Sequence, residues 1–251
     1  MTANLFDEFK SNLNEGLPVA LATIIEGTGQ GSKLLLLPDG TYIGSLGNPK
    51  IDRVLSRDMA GELAAGRTSI RHYGQEGEAR EESLSIFIES FAPPPQMLIF
   101  GAVDFTAALV RIAKVLGYKV TVCDARPVFA TAARFPQADA VENEWPNDLM
   151  EKLGDSLGQR DAVCVLTHDN KFDVPAITSA LKTEVGYIGV MGSRKTHENR
   201  NQRLVEAGVT TKEFQRIMSP VGLDIGARTP EETAISICAE IIAMRTGRKA
   251  P

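Results

Sequence analysis

The chain has 251 residues, enough for one large domain or two smaller ones with buried cores. Hydrophobic residues make up 43% and charged residues 24%, ordinary globular usage that excludes a disordered or fibrous chain. With 27 Lys and Arg against 32 Asp and Glu the formal net charge is −5, which leaves no electrostatic footprint for nucleic acid.

The first stretch, MTANLFDEFKSNLNEG, is polar and acidic and has no signal-peptide core. No apolar run in the chain approaches the roughly 18 residues of a membrane span, so a soluble, cytoplasmic protein is expected. Leu17–Ile25 reads as a strand, and Lys33–Leu37 with Thr41–Leu46 as a hairpin. Pro38-Asp39-Gly40 between them is turn chemistry, because Pro presets φ and Gly accepts a positive one. Ile51–Ala65 has helical spacing, and Ser83–Phe91 is β-like. Pro93, Pro94 and Pro95 then hold the chain extended and can continue neither a helix nor a central strand. Charge changes across them: residues 1–92 carry 8 basic and 13 acidic side chains, and the remainder carries 19 of each. A domain boundary is expected at 92–96, between a smaller α+β domain over 1–92 and a second domain over 97–251.

Beyond the prolines, strands and helices alternate. Met97–Gly101 is an apolar strand, followed by an Ala/Leu/Val helix to Leu116 that Gly117 ends. Lys119–Asp124 is a second strand, and a weaker unit runs through Asp139–Glu142. Asp161–Thr167 and Val185–Met191 are strands, each followed by a helical stretch. The last helix opens with Thr229 as N-cap, Pro230 at its first position and Glu232 at its third. Apolar strands separated by helices imply a doubly wound parallel sheet covered on both faces. Ligands of such sheets lie beyond the carboxyl ends of the strands, at the switch point.

Four segments end strands at that edge. Gly101-Ala102-Val103-Asp104-Phe105-Thr106 stands where a dinucleotide fingerprint would, but Val103 and Thr106 replace its second and third glycines. An isopropyl group at 103 obstructs close approach of a pyrophosphate, so the segment reads either as a tight turn into a helix or as nucleotide-type binding. Asp124-Ala125-Arg126 follows, with Asp124 near the usual place of a ribose-binding acid. Arg126 suits a phosphate; the alternative is that the two side chains pair with each other or with solvent.

Thr167-His168-Asp169 ends a buried strand, with Asp173 following four residues after Asp169. His168 can titrate near neutrality, donate to an anion or ligate a metal there. The readings are a functional histidine facing the same crevice as Gly101 and Gly192, a satisfied structural one, or a hard-metal site completed by the carboxylates. The fourth segment, Gly189 to Thr196, passes from a strand through Gly192 and a capping Ser193 into a helix. Free N–H groups at a helix start bind anions, and Arg194 and Lys195 add charge. Because Arg194, Lys195, Arg200 and Arg203 outnumber Glu198, a solvated basic helix face is the alternative; anion recognition is preferred.

Cys123, Cys164 and Cys238 lie far apart without CxxC spacing, which argues against a disulfide framework or a thiolate zinc site. Cys164 and Cys238 read as small core residues, and Cys123, beside Asp124, is the one with a site nearby. His72 and His197 have no neighbours that suggest more than surface roles.

Taken together, LPVALATIIEGTGQGSKLLLLPDGTYIGSLG, MLIFGA, LGYKVTVCDARPVFATAARFP, VLTHDNKFD, YIGVMGSRKT and SPVGLDIGARTPEETAISICAEI resemble the XdhC/CoxI family. Its members are accessory proteins of xanthine dehydrogenase and carbon monoxide dehydrogenase type molybdoenzymes. The resemblance covers most of the chain in the family's order, and THD, GSR and GLDIGARTPEE are its most specific segments. It implies a smaller N-terminal α+β domain joined to a C-terminal Rossmann-like domain. It also implies binding of the molybdenum cofactor (molybdopterin), its protection during sulfuration by a separate cysteine desulfurase, and its delivery to a molybdoenzyme of the xanthine dehydrogenase family. Such a protein is a cofactor chaperone and need not be a catalyst.

The cofactor is an anionic pterin phosphate. Backbone donors at 192–194, Arg194, Lys195 and His168 suit its oxygens, and Asp124 suits a pterin amine or a ribose hydroxyl. The expected contacts are therefore Gly101, Asp124, Arg126, Thr167, His168, Asp169, Gly192, Ser193, Arg194 and Lys195. Two segments depart from the family pattern. Residues 77–83 read GEAREES where many relatives carry Cys-Gly-Gly, and the family's Gly-Ala-Gly turn is Gly101-Ala102-Val103. The rival readings are an NAD(P)-dependent oxidoreductase, against which Val103 counts, and a degenerate scaffold that binds no small molecule, only part of a molybdoenzyme. A homodimer is compatible with all three.

Overall fold

The structure, a computed structural model, describes residues 4–74, 83–167, 169–192 and 194–246. The chain splits into two compact units, Met1–Pro93 and Pro94–Pro251.

The first unit runs α1 (Leu5–Asn14), β1 (Val19–Glu26), β2 (Lys33–Leu36), β3 (Tyr42–Ser45), α2 (Pro49–Ala65), β4 (Ser69–Tyr73) and β5 (Leu84–Phe91). Its strands form an antiparallel sheet in the order β3-β2-β1-β5-β4. The expected hairpin turn is present: Gly40 has φ +83°, and the Asp39 carboxylate accepts from both the amide and the hydroxyl of Thr41. Ala22, Ile24, Leu34, Leu36, Ile86 and Ile88 on the sheet pack against Ile51, Leu55 and Met59 of α2. Asn48 caps α2, Pro49 opens it, and buried Asp52 accepts from the Leu46 amide at 2.8 Å, which ties the helix to the end of β3. Residues 77–82 of the GEAREES segment lie outside the described residues.

The second unit runs β6 (Gln96–Phe100), α3 (Asp104–Val115), β7 (Lys119–Cys123), β8 (Ala140–Glu142), α4 (Pro146–Leu153), β9 (Ala162–Val165) and α5 (Asn170–Leu181). It continues with β10 (Tyr187–Val190), α6 (Arg194–Glu206), α7 (Thr211–Phe214), β11 (Ile217–Met218) and α8 (Pro230–Arg245). All six strands are parallel, in the order β8-β7-β6-β9-β10-β11. Counted from β6 this is 3-2-1-4-5-6, the order of dinucleotide-binding doubly wound sheets.

Alternation along the buried strands feeds two cores. Met97, Ile99, Val120, Val122 and Cys164 face α3 and α8, while Leu98, Phe100, Val163, Val165 and Val190 face α4, α5 and α6. Each fully buried aliphatic side chain contributes roughly 1.5–3 kcal/mol, so both layers are held mainly by these strands. The final helix has the expected start: Thr229 accepts from the Glu232 amide, and the Glu232 carboxylate accepts from the Thr229 amide. No helix among the described residues is long and apolar enough to cross a membrane.

Candidate functional site

The strand order reverses between β6 and β9, which pair in parallel from Met97↔Ala162 to Phe100↔Val165. The residues leaving these two strands pack directly on each other. Gly101 has φ +110°, and a Cβ there would lie 2.6 Å from Cγ2 of Thr167 and 3.0 Å from its amide nitrogen. Glycine is required here by the neighbouring strand end, whatever approaches from outside. The rest of the turn is also satisfied internally. The Ala102 amide donates to Asp124 at 2.9 Å, the Val103 amide to the Thr106 hydroxyl at 3.4 Å, and that hydroxyl donates to the Gly101 carbonyl. Two of the N–H groups that a dinucleotide pyrophosphate would use are thus occupied, consistent with the steric argument from Val103.

Beyond β9 the buried Thr167 hydroxyl donates to Asp173 on α5. Asp173 has no exposed side-chain surface, and burial pushes its carboxyl up to about 6 despite the Thr167 hydrogen bond and the Arg200 charge. Arg200 of α6 reaches it at 3.4 Å and donates to the Met191 carbonyl at 2.9 Å. The same element ends are thereby tied together: β9 through Thr167, α5 through Asp173, β10 through Met191 and α6 through Arg200. With 1% of its side chain exposed, Arg200 lies off any solvated basic face, the alternative reading of this helix. Its Nη2 is buried with no hydrogen-bond partner among the described residues. Asp173 is likewise engaged inside the fold.

Asp124 follows β7 with both carboxylate oxygens committed. Oδ1 accepts from the Arg126 amide and Nε, and Oδ2 from the Ala102 amide and from Arg126 Nη2 at 2.7 Å. Four donors fill the acceptor capacity of a carboxylate. Of the two readings of this segment, the pairing of Asp124 with Arg126 is present, and a ligand amine or hydroxyl would have to displace one of these donors. Arg126 in turn lies over Phe129, 4.5 Å from its ring centroid, and 5.7 Å from that of Phe172.

Asp169 caps α5, its side chain accepting from the Lys171 amide at 3.1 Å with Lys171 Nζ 3.4 Å away. An open groove of about 770 Å³ runs beside it between α5 and α6, lined by Asp169, Lys171, Arg203 and Glu206 among others. Gly192 leaves β10 at the same edge of the sheet. His168 and Ser193 lie outside the described residues, as do the side chains of Arg194 and Lys195.

The specific 219–229 segment is anchored to this edge as well. The Val221 amide donates to the Val190 carbonyl, Gly222 to Glu240 of α8, and Ser236 to the Leu223 carbonyl at 2.5 Å. Gly222 has φ +90°, and a side chain there would collide with the Ser236 hydroxyl. Sequence reasoning missed that Arg126 lies over Phe129 and Phe172, and that Trp145 packs on Phe172, because these residues come from separated segments.

All three cysteines are buried and unbridged. Burial pushes the Cys123 and Cys238 thiols up to about 12 and raises Cys164 as well, so none is a ready thiolate. Cys123 donates to the Glu144 carbonyl instead of facing the site.

The sheet order, the two-sided core and the turn geometry define a Rossmann-class α/β unit joined to a small antiparallel α+β unit. Residues 97–241 match the XdhC Rossmann domain, and residues 13–74 match the XdhC and CoxI family. The chain belongs to the XdhC and CoxI family. It is 34% identical over 165 residues to a probable xanthine dehydrogenase subunit of Bacillus subtilis, covering 66% of this chain and 47% of that protein. The molybdenum cofactor insertion chaperone PaoD of Escherichia coli is 27% identical over 163 residues, covering 65% of this chain and 44% of PaoD. The uncharacterized Escherichia coli protein YqeB is 24% identical across 96% of this chain and 46% of its own length. The chain thus spans about half the length of these curated relatives. The fold matches the crystal structure of a xanthine dehydrogenase from Bacillus halodurans with a TM-score of 0.57 at 23% identity, covering 97% of this chain and 96% of that one.

Proposed function

We propose that this chain binds the molybdenum cofactor at the carboxyl edge of its parallel sheet and delivers it, after sulfuration, to a molybdoenzyme of the xanthine dehydrogenase or carbon monoxide dehydrogenase type. One observation carries this reading: the segments most specific to the family leave neighbouring strands β9, β10 and β11 at that single edge. The naming of the relative PaoD as a molybdenum cofactor insertion chaperone supports it. Gly101, Thr167, Asp169 and Gly192 line the edge in this reading, with His168, Ser193, Arg194 and Lys195 as contacts for the cargo's oxygens. Asp124 and Arg126 stand beside them as a preformed pair. Sulfur then comes from a separate desulfurase and stays on the cargo, because the chain's own thiols are buried.

The reading is tested by transfer. Protein purified after co-expression with the cofactor pathway is mixed with cofactor-free xanthine dehydrogenase, and recovered activity is followed. The parent chain should activate the apo-enzyme. Arg194→Ala with Lys195→Ala should cut activation about tenfold or more while the thermal midpoint stays near that of the parent. Absence of activation by the parent would overturn the reading. Undiminished activation by the double variant would remove those two side chains from the site.

A further inference from the structure

We propose that Arg126, Phe129, Phe172 and Trp145 form a stacking subsite for a planar nitrogen heterocycle, the chemistry shared by a pterin ring and a purine. In its pterin form this deepens the cofactor reading and rests on it; the geometry itself belongs to the C-terminal unit alone.

Three strand ends build the subsite. Arg126 and Phe129 follow β7, Trp145 opens α4, and Phe172 lies in the first turn of α5 after β9. The Phe172 and Trp145 rings stand 5.0 Å apart at 39°, and the Arg126 guanidinium lies over both Phe129 and Phe172. Phe172 is the floor at 5% exposure, whereas Phe129 and Trp145 keep 40% and 45% of their surface in solvent. The surface offered to a flat ring is the solvent-exposed part of Phe129 and Trp145, with the Arg126 and Arg134 guanidiniums packed on the Phe129 ring, 4.5 and 5.6 Å from its centroid.

Asp124 engages the guanidinium through Nε and Nη2, leaving Nη1 outside that pair, and Asp169 adds a second negative charge that acts on it. Those remaining N–H donors suit the carbonyl and ring-nitrogen acceptors on the edge of a heterocycle. Charge separates this ligand from a bare anion. Arg126 is matched by Asp124 at 2.7 Å, Lys171 by Asp169 at 3.4 Å and Arg134 by Asp104 at 3.7 Å, so the patch carries little excess positive charge. Stacking is therefore the dominant attraction available here, and it is sequence-tolerant and independent of a phosphate.

Trp145 is the only tryptophan, so its fluorescence reports the subsite directly. The full chain is titrated with neopterin, adenosine monophosphate and ribose 5-phosphate, and equilibrium dialysis of the same probes checks the affinities. At least one heterocycle should quench saturably below about 1 mM. Phe129→Ala should weaken it about tenfold, and Phe129→Tyr should keep it within about twofold. Neopterin alone, adenosine monophosphate alone or both would each support the subsite and name its source. Three results overturn it: no saturable binding of either ring, parent affinity in Phe129→Ala, or equal binding of ribose 5-phosphate. Apo-enzyme activation is read separately. Lost probe binding with intact activation overturns the subsite alone, and intact probe binding without activation overturns the delivery reading alone.

Discussion

Arg200 and Asp173 meet inside the C-terminal unit, with Nη1 3.4 Å from Oδ2 and 1% and 0% of their side chains exposed. The contact joins α6 to α5, and through Thr167 and the Met191 carbonyl it also reaches the ends of β9 and β10. A charged pair this deep gains stability only while both members and their hydrogen bonds are present. Its role is to fix the helix that follows Gly192 against the strand end that carries Thr167.

Arg200→Met keeps a long apolar stem but removes the charge and the bond to Met191. It should lower unfolding free energy by about 3 kcal/mol, since a carboxyl is left buried without its partner. Urea unfolding of the full chain measures this. A loss under about 1 kcal/mol would show the pair to be dispensable.

The pH dependence follows from Asp173. Burial raises its carboxyl to about 6, above the ordinary value near 4. A group that holds its proton more tightly when folded contributes most at acid pH, and that contribution is lost as pH rises through about 6. Relative to Asp173→Asn, the parent should lose about 2–3 kcal/mol between roughly pH 4 and pH 7. A difference between the two proteins that stays flat over that range would contradict the assignment.

How much of this is legible in the chain differs between fold and site. The buried strands of the second unit are continuous apolar runs, so their order of appearance and the parallel sheet can be read, and the capping box of α8 is written in Thr229-Pro230-Glu231-Glu232. Two elements of the first unit escape such a reading. Helix α1 leaves Phe6 62% and Leu13 39% exposed, and β4 (Ser-Ile-Arg-His-Tyr) is a polar edge strand held by its pairing with β5. At the site, Asp124 and Arg126 are two residues apart, close enough for their pairing to be one of the readings the sequence offers. Arg200 and Asp173 are 27 apart. Nothing in a helical run of arginines says which one turns inward, because only the assembled sheet brings a buried carboxylate to meet it.

Gly101→Ala tests the contact at the switch point. The added methyl meets Thr167 at 2.6 Å in a backbone conformation with φ +110°. Strain and overpacking together should cost about 2–4 kcal/mol, seen as a lowered thermal midpoint. A variant as stable as the parent would show that the two strand ends can separate freely.

The thiols give a chemical check on where sulfur resides. Cys123, Cys164 and Cys238 are buried and their thiols are raised well above the ordinary range. The folded chain should react with a thiol reagent far more slowly than the urea-unfolded chain, which should yield all three equivalents. Rapid labelling of one cysteine in the folded protein would instead point to a sulfur carrier on this chain.

The central claim is that the chain carries a molybdenum cofactor, and its bound content after co-expression with cofactor synthesis tests that most directly. Oxidation of the purified protein should release a fluorescent pterin, with molybdenum present in about equal amount and near one per chain. A preparation that retains nicotinamide nucleotide, or neither pterin nor molybdenum above the level of an unrelated protein purified alongside, would contradict it.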